Sequence, residues 1–333
     1  MKAFVTGGTG FVGSHLVESL LSNPSVEETK VLIRSQEKWL EGLAYSPVHG
    51  NLEHIDAIGQ HLEGIDVLFH CAAVLHAPNL EHFIRANVEA TLRLVEMAVE
   101  SGVHNIVILS SLAAVGPSNA DADALTERSP MRPISNYGRS KMMMEEGLQK
   151  LVSSTEQNPK LSIKILRPPA VYGPRETDIF GLFKALNRRI APVIGPFKQK
   201  NLSLIHVHDL VEGMGKSMHW KTPGVHSYFV GGPKNAYSWE EIFMRCSSIL
   251  GKSYLKIPIP NALLFGIARV SELTAPLVQR YPALNVEKAN ELSQNWVCSS
   301  EKAKREWDYS PSIGLEDGLA NTLDWYKKQG WLS

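Results

Sequence analysis

Cysteine is scarce in this chain, a surplus of either charge is absent, and no long apolar run occurs. The three cysteines, Cys71, Cys246 and Cys298, form no CxxC pair, and an odd count fits no disulfide framework. They are expected as buried, inert thiols in a reducing, cytoplasmic compartment. Lys+Arg and Asp+Glu each total 34, so the totals support neither nucleic acid nor an anionic membrane face as a partner. No stretch of about 18 uncharged apolar residues is present, so no membrane span is expected. The opening MKAFVTGG already reads as a strand and a glycine turn, and no signal peptide is expected. Internal repeats and low-complexity segments are also lacking.

What is present is ordinary for a globular protein: 333 residues, 44% apolar and 20% charged. The length suggests a main body plus a smaller lobe. Residues 2–6, 30–33, 66–70, 105–110 and 162–166 read as short apolar strands. Residues 11–21, 80–101 and 136–152 repeat apolar positions at helical spacing between them. Strands alternating with helices predict βαβ units, and right-handed crossovers make an α/β fold with a doubly wound parallel sheet. After Arg167 the texture changes to Pro- and Gly-rich connections. LSLIHVHDL and GVHSYFVGG read as two returning strands of the sheet, with a helix between them N-capped by Asp209. From Ser238 the pattern is mainly helical. The sheet body is thus placed in 1–167 with 203–232, and a smaller, mainly helical C-terminal lobe in 168–202 with 233–333.

The sharpest local signal is Thr6-Gly7-Gly8-Thr9-Gly10-Phe11-Val12-Gly13 between a strand and a helix. Gly7 permits the tight turn, Gly10 lets backbone approach a pyrophosphate, and Gly13 lets helix pack on strand. Phe11, Val12 and Gly13 then lie at a helix N-terminus, where free N–H groups and the dipole favour an anion. The expected ligand is a dinucleotide. At the end of the second strand, where NAD binders carry an acid for the ribose hydroxyl, this chain has Arg34. A guanidinium there suits a 2′-phosphate, so NADP is favoured, with NAD as the alternative.

Tyr137 and Lys141 are four apart on a predicted helix, hence on one face. Ser110-Ser111 closes the NIVIL strand. Together with the glycine turn, and with His70-Cys71-Ala72-Ala73, Asn87-Val88 and Arg167-Pro168-Pro169-Ala170-Val171-Tyr172-Gly173-Pro174, this order resembles the extended short-chain dehydrogenase/reductase family, of the NAD-dependent epimerase/dehydratase type. The resemblance runs along nearly the whole chain. It implies a Rossmann sheet with Tyr137 as acid/base, Lys141 tuning it and holding the nicotinamide ribose, and Ser111 orienting the substrate oxygen. A free phenol titrates at about 10, so Tyr137 is expected to be tuned downward by the Lys141 ammonium and the positive nicotinamide together. The resemblance further implies Asn87 as a support on the lysine side. It also sets Asn51 and Leu52 beside the adenine, Ala72 and Ala73 along the dinucleotide, and Pro168 to Val171 past the nicotinamide amide.

Within that family, many sugar-nucleotide members carry Asn where this chain has Ala170 and Arg about where it has Leu202. Dehydratase members carry acids where it has Leu112-Ala113-Ala114. The motifs SSLAAVGP and LRPPAVYGP are closer to 3β-hydroxysteroid dehydrogenase or dihydroflavonol-reductase-like members. The expected chemistry is hydride transfer between nicotinamide and an alcohol, ketone or aldehyde of a relatively apolar small molecule. A nucleotide-sugar epimerase is the alternative, and a non-catalytic dinucleotide-binding regulator the alternative of another class. Family members pair helices like 80–101 and 136–152 across a four-helix interface, which implies a homodimer. The apolar stretch 262–268 is read as a buried helix of the lobe, with a substrate lid or a membrane-contacting face as the alternative, and His206 and His208 as structural, with no metal site. Trp296, Trp307, Trp325 and Trp331 are expected to pack the C-terminal helices.

Overall fold

The computed structural model describes residues 1–119, 124–154, 159–195, 200–278 and 284–332. Its strands are β1 Lys2–Thr6, β2 Glu28–Ile33, β3 Ser46–His49, β4 Val67–His70, β5 Asn105–Leu109, β6 Ser162–Arg167, β7 Ala170–Tyr172, β8 Ile190–Ile194, β9 Asn201–Leu202, β10 Leu204–His206, β11 Gly224–Phe229, β12 Tyr237–Ser238 and β13 Leu255–Ile259. The helices are α1 Phe11–Leu21, α2 Leu80–Phe83, α3 Ala90–Glu100, α4 Asn136–Ser154, α5 Phe180–Asn187, α6 Val207–Ser217, α7 Trp239–Leu250, α8 Asn261–Val278, α9 Val286–Leu292, α10 Glu301–Trp307 and α11 Leu315–Lys328. Seven strands form one sheet in the order β11-β6-β5-β4-β1-β2-β3, every pair parallel.

Strand residues alternate between two cores, as a sheet covered on both faces requires. Ala3, Val5, Val67, Phe69 and Val107 pack with α1 and α6. Phe4, Leu68, Ile106 and Ile108 pack with α3 and α4. A third core joins α5, α7 and α11 through Phe183, Phe243, Leu319 and Tyr326.

Several expectations are corrected. LSLIHVHDL does not return to the sheet: β10 pairs with β7 in a separate two-stranded unit, and only β11 rejoins the large sheet. Asp209 is not the cap of α6. His206 holds that position, and the buried Asp209 carboxylate instead accepts from the backbone N–H groups of Ser312 and Ile313 at 3.0 Å each. Residues 80–101 are not one regular helix. A π segment, Ile84–Glu89, separates α2 from α3. Trp307 packs on the sheet edge-to-face against Tyr228 of β11, while Trp325 and Trp331 join the third core. Cys246 and Cys298 are buried free thiols, but Cys71 is only half-buried. Stretch 262–268 lies in α8, and its outward side is exposed rather than buried.

Candidate functional site

Parallel pairing brings the C-terminal ends of β1, β4, β5 and β6 to one edge, with the order reversing between β1 and β4. Such a switch point opens a crevice between the diverging loops. At its floor Gly7 turns the chain with φ +72°. A Cβ there would lie 2.5 Å from the backbone nitrogen of Ala72, so the β1 turn and the β4 loop meet main chain to main chain. A Cβ on Gly13 would lie 2.1 Å from the Gly7 carbonyl oxygen, which seats α1 directly on the turn. α1 begins at Gly10 with no side-chain cap and no acid in its first turn. The N–H groups of Phe11, Val12 and Gly13 therefore have no intrahelical partner. This cradle fits the pyrophosphate of a dinucleotide.

The other cofactor candidates line the same edge with different degrees of engagement. Arg34 stands exposed just past β2 and, among the described residues, makes no hydrogen bond or ion pair. The Asn51 side chain accepts from the N–H groups of Glu53 and His54 at 2.9 Å, capping the short helical stretch that starts at Leu52. Ala72 and Ala73 follow β4. The Pro168 carbonyl accepts from Leu112 N–H at 2.8 Å, joining that loop to the one after β5. Val171 lies in β7, beside Ile205.

Ser111, Tyr137 and Lys141 converge. Ser111 caps a short 3-10 turn, Leu112–Ala114, and its hydroxyl lies within hydrogen-bonding reach of the Tyr137 phenol. Lys141, one turn along α4, is fully buried and donates from Nζ to the Leu109 carbonyl at 2.9 Å. Burial lowers its pKa to about 8, against the pull of the Glu145 carboxylate and Cys71. The chain's own groups do not supply the expected downward tuning of the phenol. Burial pushes it up, Ser111 pulls it down, and Glu291 and Asp178 push it up again. The chain's own groups thus hold Tyr137 as a neutral proton donor.

Asn87, in the π segment, exchanges two hydrogen bonds with the backbone of Val74, at 2.8 and 2.9 Å, and donates to Ser140 Oγ at 3.1 Å. It fixes the loop after β4 to α4 beside Lys141, without touching the lysine.

Two buried networks escape the sequence reading. Glu145 accepts from Ser110 Oγ at 2.6 Å and from Arg167 Nη2 at 2.5 Å, with a further bond from Arg167 Nε at 3.0 Å. It binds α4 to the ends of β5 and β6, directly behind Lys141. Its position, four after Lys141 and eight after Tyr137, was the available signal. His70 sits between Thr6 Oγ1 at 2.7 Å and Thr91 Oγ1 at 2.9 Å, linking β1 and β4 to α3. Burial lowers its pKa to about 3, so it stays neutral.

His206 and His208 lie with ring centroids 5.1 Å apart, and His15 the same distance from His208. No group of three or more His, Cys, Asp or Glu that could hold a metal occurs among the described residues. Leu202 is buried in the third core, so its apolarity reflects packing there and carries no information about a ligand. Ala170 is exposed.

Comparison with known proteins agrees with this geometry. Residues 3–231 match the profile of the NAD dependent epimerase/dehydratase family. A ceramide reductase from Caulobacter vibrioides (strain NA1000 / CB15N) is 28% identical, covering 98% of this chain and 95% of its own length. A decarboxylating sterol-4-alpha-carboxylate 3-dehydrogenase from Candida albicans (strain SC5314 / ATCC MYA-2876) is 26% identical over 97% of each chain. The crystal structure of gox2253 superposes with a TM-score of 0.80 at 26% identity, covering 99% of both chains. A UDP-glucuronic acid 4-epimerase from Bacillus cereus, in complex with UDP-glucuronic acid and NAD, shares the fold, with a TM-score of 0.77 at 23% identity over 99% of this chain and 100% of the other.

Proposed function

The chain belongs to the NAD dependent epimerase/dehydratase family, and from that premise we propose that it is an oxidoreductase moving a hydride between a nicotinamide dinucleotide and a carbonyl or alcohol carbon of a relatively apolar small molecule. The observation that carries this reading is the convergence of Ser111, Tyr137 and Lys141 beside the glycine cradle. When bound, the nicotinamide supplies or receives the hydride. In reduction, Ser111 holds the substrate oxygen and Tyr137 passes its phenolic proton to it. In oxidation Tyr137 must start as the phenolate, the form that the Lys141 ammonium favours, and it takes the proton back from the substrate hydroxyl. Lys141 sets a positive charge beside the phenol and offers its ammonium to the ribose. Arg34, exposed at the end of β2, supports NADP(H) over NAD(H) through a charge-assisted fork on a 2′-phosphate. In this reading the protein works as a cytoplasmic homodimer paired through α3 and α4.

The curated relatives named above act, by their names, on a ceramide and a sterol, which supports a lipid-like substrate. A nucleotide-sugar epimerase remains the second reading. With Leu202 inside the core, only Ala170 speaks against it. The test is NAD(P)H oxidation by purified protein with aldehydes and ketones of rising chain length, with UDP-glucose epimerisation assayed in parallel. Turnover that improves with apolar length supports the reading. Epimerisation alone would replace it, and tight dinucleotide binding with no turnover would mark a regulator.

A further inference from the structure

Among the described residues, seven of the nine exposed large hydrophobic side chains lie on three adjoining elements: β8, β13 and α8. On α8, Leu264 and Ala268 face inward, onto Ala289 of α9 and onto Ile194 and Ile259. Leu263, Ile267, Val270 and Leu273 are 48–78% exposed. At 3.6 residues per turn these four share one outward stripe. Only Arg269 and Glu272 are charged along the whole helix. A helix this apolar on both sides would ordinarily be buried all round.

The neighbouring ribbon extends the surface. β8 and β13 run parallel with Ile190 beside Leu255, Pro192 beside Ile257 and Ile194 beside Ile259, so one face carries six apolar residues. α8 covers the Ile194–Ile259 end, while Ile190, Leu255 and Ile257 at the other end are exposed. Cations gather at that open end. Lys184, Arg188 and Arg189 lead into Ile190, the Arg189 carbonyl accepts from Leu255 N–H at 2.8 Å, and Lys252 bonds Asn187. Lys256 is paired with Glu240 at 2.5 Å and adds no net charge. This local excess stands out in a chain whose formal net charge is zero.

We propose that this surface rests on an anionic lipid bilayer, in the plane of the interface, with the α8 stripe and the open ribbon in the acyl boundary and the Lys184–Arg189 rim among the headgroups. No helix is long and apolar enough to cross a membrane, among the described residues, so the contact is one of lying on the surface. It is also close to the chemistry. α9, packed against α8, receives a hydrogen bond on Glu287 from the backbone of Asn136, the residue before Tyr137. A substrate drawn from the bilayer would be a long-chain, membrane-resident alcohol or ketone. That substrate class rests on the hydride-transfer reading, whereas the surface itself does not. A second copy seated here about a twofold axis would bring an equally cationic rim with it, which disfavours that occupant.

Flotation of the full-length protein with vesicles of phosphatidylcholine, alone or mixed with phosphatidylglycerol, tests this without any turnover. The protein should float with the mixed vesicles at least about tenfold more strongly than with phosphatidylcholine, since each basic residue near the surface contributes roughly fivefold. Val270→Asp with Leu273→Asp should cut flotation at least about tenfold. Arg188→Gln with Arg189→Gln should cut the preference for phosphatidylglycerol at least about tenfold. Unchanged melting temperature and dinucleotide affinity would certify both variants as folded. If the unaltered protein floats with neither vesicle, or if folded variants float as it does, the proposal falls. It falls equally if light scattering shows a dimer that the double aspartate variant splits into monomers. None of these outcomes bears on Tyr137, and an inert Tyr137→Phe result would not touch the flotation.

Discussion

Gly13 and Gly266 are both helical glycines, and they live in opposite worlds. A methyl group added at Gly13 would strike the Gly7 carbonyl oxygen at 2.1 Å, whereas one added at Gly266, on the outer side of α8, would meet nothing within 4 Å. The difference separates two design regimes in one chain. Around the β1 turn, the backbone itself is the working surface, and each residue is dictated by how close main chain must come to main chain or ligand. On α8, shape imposes little, and the apolar side chains answer to something outside the folded chain.

The contrast can be tested from its strongest end. Tyr137→Phe should lower turnover roughly 10²–10⁴-fold, the usual loss when a general acid is removed, while dinucleotide affinity by titration stays nearly unchanged. Full activity in this variant would take the chemistry away from α4. Gly13→Ala should follow, weakening dinucleotide binding more than about tenfold and costing about 1–3 kcal/mol in denaturant unfolding, because backbone atoms cannot yield as a side chain could. A harmless Gly13→Ala would erase the contrast. Arg34→Ala should weaken NADPH by about 1–3 kcal/mol and leave NADH unmoved. Equal affinities in the unaltered protein would remove the basis for expecting it.

A pH titration of dinucleotide binding adds a finer probe of the same region. The Lys141 pKa is lowered to about 8, so its ammonium is present below that pH and lost above it. Affinity should be flat near neutrality and fall by up to about tenfold per pH unit beyond 8. Lys141→Met should abolish the step. At the weak end, Gly266→Ala should raise stability by about 0.5–1 kcal/mol, through helix propensity alone. Thermal unfolding would register a loss there if the outer face of α8 were in fact packed.

The same contrast explains what could be read in advance. Wherever backbone geometry forces the residue, the pattern is visible in one sequence, as in TGGTGFVG or the alternation that sends Ala3 and Val5 to one core and Phe4 to the other. What depends on partners remote in the chain is not. β3 hides because Ser46–His49 contains a proline and sits at the sheet edge. Asp209 looks like a cap until Ser312 and Ile313 claim its carboxylate, and β10 looks like a sheet strand until it pairs with β7. The π segment, at Asn87, has no local mark, since the Asn87 side chain bonds the backbone of Val74 and Ser140 Oγ, both remote in the chain. Glu145 reads as one more surface glutamate without Arg167 across from it. The rise of the Tyr137 phenol comes from burial, to which Glu291 and Asp178 add from far along the chain.

The position of β11 has a consequence for how the protein is made. β6 is buried along its whole length, and its outer edge is closed only by β11, paired from Ser162–Gly224 to Arg167–Phe229. On the ribosome, that edge emerges first and must wait for everything between Arg167 and Gly224 to be synthesised. At about 5–20 residues per second, the nascent chain carries an open strand edge for roughly 3–11 s. An edge of that kind is a template for pairing with another chain. Each residue inserted between the two strands lengthens the wait, so what the lobe can gain by insertion is limited by how long the unfinished chain can be kept from its neighbours.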